Sequence, residues 1–104
     1  MMKDLVADHI ERCRKLTPKQ IEALENTLGS MLPGTLSKRA VALHKARKEI
    51  GDAPWHSAWD ADWYVGTAAW DTAIALIAKD IVTPEEFENL VAPWVSVMGR
   101  TWEA

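Results

Sequence analysis

His9 and Cys13 stand four residues apart, so on a helix both side chains project from one face. An imidazole and a thiol in that register are the start of two chemistries. A zinc site would need further ligands, and the remaining imidazoles are His44 and His56. A Cys–His nucleophilic pair would need an oxyanion site and a group to orient the base, and the sequence supplies neither. Both residues also fall on the apolar stripe of their own helix, where small buried side chains belong. The carboxylates of Glu85, Glu86 and Glu88 cluster in the first turns of a helix, where they complement its dipole without any catalytic role. No glycine-rich phosphate loop is present. The expectation is a non-enzymatic chain with no metal and no cofactor.

A third cluster is basic. Lys38, Arg39, Lys45, Arg47 and Lys48 lie on one helix that follows a capped helix and a short turn. That order can be read as a helix-turn-helix whose basic member enters the major groove, with Arg39 and Arg47 able to contact guanine. These five are the candidate nucleic-acid contacts. Against that reading, the chain carries a net charge of −3, whereas nucleic-acid modules are usually basic overall. The charge is also unevenly spread: residues 1–52 hold 10 Lys/Arg against 7 Asp/Glu, and residues 53–104 hold 2 against 8. A basic face can therefore be solvated, or can pair with an acidic surface such as the chain's own C-terminal half.

The heaviest signal is aromatic. Trp55, Trp59, Trp63 and Trp70 fall at spacings of 4, 4 and 7, which places the four indoles within an arc of about 80° on one helix face. Such a stripe must be covered by the protein's own core, by a second copy or by a partner. Indoles also stack on sugars, bases and cations, so a ligand groove is a further reading. Asp62 lies beside the arc, where it either reaches water at the edge or pairs with an indole N–H or a cation of the first three helices.

The elements that position these residues are helical throughout, with no strand alternation. A first helix is expected over about Lys3 to Leu16, with Leu5, Val6, His9, Ile10, Cys13 and Leu16 inward. Thr17-Pro18-Lys19-Gln20 reads as a capping box with proline at the first helical position, starting a second helix that stops at Gly29. Met31 to Gly34 reads as a turn, and a third helix runs from Leu36 or Ser37 to Ile50. A fourth, about Ala53 to Ile81, would be ~43 Å long, against a diameter of roughly 33 Å for a compact domain of this size. It must protrude, bend near Gly66, or be shared across an oligomer interface. Thr83-Pro84-Glu85-Glu86 is a second capping box, opening a fifth helix with Phe87, Leu90, Val91 and Trp94 inward. Pro93 is expected to kink or end it. The fold class is all-α, about five helices around one long tryptophan-rich central helix, in a single domain over residues 1–104.

Cys13 is the only cysteine, which fits a reducing cytoplasm. Met1 to Leu16 has no apolar core, so no signal peptide is expected, and no apolar run is long enough to span a bilayer. A cytoplasmic location is expected.

Ala58-Trp59-Asp60 recurs as Ala69-Trp70-Asp71 eleven residues on. These units, with Lys79 to Phe87, Ala92-Pro93-Trp94 and Val97-Met98-Gly99, resemble small Ala/Trp/Asp-rich helical proteins of actinobacteria and their phages. The resemblance spans roughly residues 58–99 and implies such an origin, with a host-directed accessory role if the protein is phage-encoded. It carries over no functional residue. The functional expectation is a small interaction or regulatory module that self-associates or binds a protein partner. Its interaction or core stripe comprises Trp55, Trp59, Trp63, Trp70 and Trp94, and nucleic-acid binding through the basic helix is the alternative.

Overall fold

A computed structural model describes residues 5–50 and 66–103. The described residues form five helices: α1 (Leu5–Arg14), α2 (Pro18–Gly29), α3 (Pro33–Ile50), α4 (Thr67–Ile77) and α5 (Pro84–Met98). The all-α expectation holds. No helix among the described residues is long and apolar enough to cross a membrane.

Local chemistry sets the helix starts. Thr17 Oγ1 accepts from the Gln20 amide at 3.2 Å while Gln20 Oε1 accepts from the Thr17 amide at 2.9 Å. Thr83 and Glu86 repeat this reciprocal pair at the head of α5, at 3.1 and 2.8 Å. Both capping boxes are the ones the sequence announces. α3 begins earlier than expected, because Pro33 is pre-organised for the first helical position and the Leu32 carbonyl already accepts from the Leu36 amide at 2.9 Å.

The long central helix is corrected. Gly66, at φ +87° and ψ −178°, is not helical, and α4 begins at Thr67 and ends at Ile77. The expected stretch from Ala53 to Val65 lies outside the described residues, as do Trp55, Trp59, Asp62 and Trp63. An 11-residue helix fits within principal extents of 34 × 31 × 26 Å without protruding. α4 is nonetheless central: Ala68 through Leu76 are all buried, against α1, α2, α3 and α5. Four alanines in that run let the neighbouring helices approach closely.

Gly66 is required twice over. Its positive φ suits glycine, and a Cβ there would sit 2.5 Å from Glu25 Oε1. That same carboxylate oxygen accepts from the Ala68 amide at 3.1 Å, so α2 supplies the cap that a glycine cannot.

Pro93 does not end or break α5, which continues to Met98. A proline ring has no N–H for the carbonyl four residues back, here that of Asn89. Arg39 Nη1 donates to that carbonyl at 3.0 Å and to the Leu90 carbonyl at 2.7 Å. Its Nη2 donates to Asp71 Oδ2 at 2.8 Å, so one guanidinium from α3 ties α4 to α5.

Candidate functional site

The His9–Cys13 pair forms as the spacing requires, with Cys13 Sγ 3.4 Å from His9 Nε2. Both side chains are buried, and the imidazole stands edge-on to Trp94 with centroids 4.4 Å apart. His9 Nε2 lies 3.0 Å from the Ala69 carbonyl oxygen, which fixes Nε2 as the protonated, donating nitrogen. It therefore offers no lone pair to a metal or to the thiol proton. Burial pushes the Cys13 thiol up to about 12, so the sulfur is a neutral thiol rather than a thiolate. Burial also lowers the His9 pKa, outweighing the Ala69 carbonyl that raises it. The pair docks α1 on the core. Among the described residues no group of three or more His, Cys, Asp and Glu side chains is placed to hold a metal.

Trp70 and Trp94 are both core residues. Trp70 belongs to the buried cluster that includes Ile74, Leu76 and Phe87, and Trp94 to the one with Cys13, Leu24 and Ala69, its Nε1 donating to Thr101 Oγ1 at 3.0 Å.

The five basic candidates divide. Arg39 is withdrawn from the surface: its side chain is 5% exposed and engaged by Asp71 and the two α5 carbonyls. Lys45 Nζ pairs with Glu86 Oε1 at 3.0 Å. The Thr83 amide, chiefly, and then Lys45 hold the Glu86 carboxyl below its usual range. Lys38, Arg47 and Lys48 remain on the exposed face of α3. α2 and α3 make their main contacts with α4 and α5, whereas a helix-turn-helix packs its two members together.

That leaves the outer face of α3 and its border with α5 as the prominent open surface. Leu32 and Val41 are 73% and 68% exposed, and Leu36 is also exposed. At Val41 a groove of 380 Å³ is lined by Ser37, Lys38 and Val41 from α3 and by Glu85, Glu86 and Asn89 from α5. Lys38 and Glu85 have no ion-pair partner among the described residues. Asn89 Oδ1 is buried with no hydrogen bond.

No protein-family model matches this chain. Neither the curated proteins nor the solved structures compared with it gave a match. The geometry of its own residues therefore carries the functional argument.

Leu32, Leu36 and Val41 were not among the residues the sequence singled out. The inward face of α3 is built from Ala42, Ala46 and the buried Arg39. Apolar side chains thus occur all around the helix, and periodicity does not say which of them face out. Two small alanines beside a charged residue on one face, opposite a valine, are the signal that was available.

Proposed function

We propose that this chain is a non-catalytic helical interaction module of the cytoplasm that associates with itself, in keeping with a phage or actinobacterial accessory protein. The observation that carries the reading is Val41, which stands 68% exposed on the wall of the α3–α5 groove among Lys38, Glu85 and Asn89. A single exposed apolar residue needs no explanation, but one set in a groove and edged by polar groups is what a protein contact uses. The core supports the reading from the other side, since Trp70, Trp94, His9 and Cys13 are engaged in packing. Nucleic-acid binding keeps Lys38, Arg47 and Lys48 but loses Arg39 to the interior and shares Lys45 with Glu86.

The test is solution mass by light scattering over a wide concentration range, at low and high salt. A mass rising above the 11.6 kDa of one chain and persisting in salt supports self-association. A constant 11.6 kDa, with binding to duplex DNA that weakens steeply as salt rises, favours the alternative instead.

A further inference from the structure

We propose that the outer face of α3, with the α3–α5 groove, seats a second copy of this chain, α3 against α3 in antiparallel register about a twofold axis near Val41. This rests on the self-association reading and names its surface.

Arg39 reaches the Asn89 and Leu90 carbonyls at one end of the groove, and Lys45 reaches Glu86 at the other. α3 and α5 are therefore antiparallel, with Lys38 near the Asn89 end and Glu85 near the Lys45 end. The groove carries one charge of each sign with no ion-pair partner among the described residues, at opposite ends of opposite walls. A surface built that way complements itself: a twofold axis between the charges brings each to the other's counterpart.

Val41 stands between those ends. An axis there places each α3 residue opposite one at an equal distance beyond Val41, so Lys38 of one copy comes to the level of His44 in the other. That is the end of the groove where Glu85 stands, and two Lys38–Glu85 pairs form across the interface. Ser37 and Ala40, both small and exposed, flank Val41 and allow the two helices to approach closely.

Lys48, about 20° from Val41 around α3, chooses the register. In a parallel pairing it would meet its own copy, a like-charge juxtaposition that opposes association. In the antiparallel pairing it falls opposite Gly34, which carries no charge. Lys45, already matched by Glu86, falls opposite Ser37.

The experiment is the dimer dissociation constant of the full chain, by sedimentation or light scattering, for wild type, Val41→Glu, Lys38→Glu, Glu85→Lys and the charge-swapped double variant. Helical circular dichroism accompanies each, to show that these surface substitutions leave the fold intact. Val41→Glu and each single reversal are expected to weaken association by at least about tenfold, since each acts twice across a twofold interface. The double swap is expected to return to within about threefold of wild type. A wild type that associates while Val41→Glu and both reversals leave its dissociation constant unchanged overturns this surface and spares the self-association reading. Reversals that weaken association without rescue in the double variant overturn the Lys38–Glu85 register. A wild-type monomer overturns the self-association reading itself. If Val41→Glu then lowers the melting temperature of that monomer, the chain covers the face on its own.

Discussion

Arg39 donates to the carbonyl of Asn89, the acceptor that Pro93 leaves without its helical partner. A proline inside a helix costs about 3 kcal/mol, partly through that lost hydrogen bond. Here a guanidinium from α3 replaces the missing donor, and its Nη2 binds Asp71 on α4. The same side chain that marks α3 as basic in the sequence thus carries α5 through its proline and closes the core.

Arg39→Met is expected to lower unfolding free energy by about 3–5 kcal/mol, because it removes the cation bound to the buried Asp71 Oδ2 and leaves the Asn89 carbonyl without the donor that stands in for Pro93. Arg39→Lys should recover little, since one ammonium cannot serve three acceptors spread over two helices. In a Pro93→Ala background the loss from Arg39→Met should shrink, as the restored amide binds the Asn89 carbonyl. Urea unfolding of the four variants in that cycle reads the coupling directly.

Gly66→Ala is expected to destabilise by about 1–3 kcal/mol, from a positive φ together with the collision at Glu25. Glu25→Ala should cost about 1 kcal/mol through the lost cap on Ala68. Thermal melts of both variants would distinguish this from an ordinary helical glycine, where alanine stabilises.

These two results mark what the sequence made legible. Capping at Thr17 and Thr83, and the His9–Cys13 face of α1, depend on residues within four positions of one another, so the sequence shows them. Trp94 was placed correctly on the inner face of α5 by the same local periodicity. The Arg39–Asp71 pair joins residues 32 apart, and local pattern reads each as an outward polar group. At Gly66 the apolar pattern continues on both sides, so periodicity suggests one helix where a positive φ interrupts it. The exposed face of α3 stayed hidden for a related reason: its inward surface is alanine and a paired arginine.

Acid should weaken the fold through His9. Its folded pKa lies below the ordinary 6.5, so the unfolded chain takes up the proton first as pH falls. The contribution of this group is therefore full above about 6.5 and is lost as pH drops from there toward the folded value. Unfolding free energy measured between pH 7 and pH 5 should decline, and His9→Gln should flatten that slope. A slope equal in both proteins would show that His9 does not carry it.

Cys13 should be inert in the folded protein. With the thiol buried and its pKa pushed up to about 12, a disulfide-exchange reagent is expected to label it only as fast as the chain opens. Adding denaturant should expose one thiol per chain at once. Rapid labelling in native buffer would contradict the docking of α1 on α4.

The most direct test of the account is the mass of the wild-type chain beside that of Val41→Glu, by light scattering at matched concentrations and in high salt. The wild type is expected to approach twice 11.6 kDa, and the Val41→Glu variant to stay near 11.6 kDa with unchanged helicity. A wild type fixed at 11.6 kDa at every concentration would contradict it.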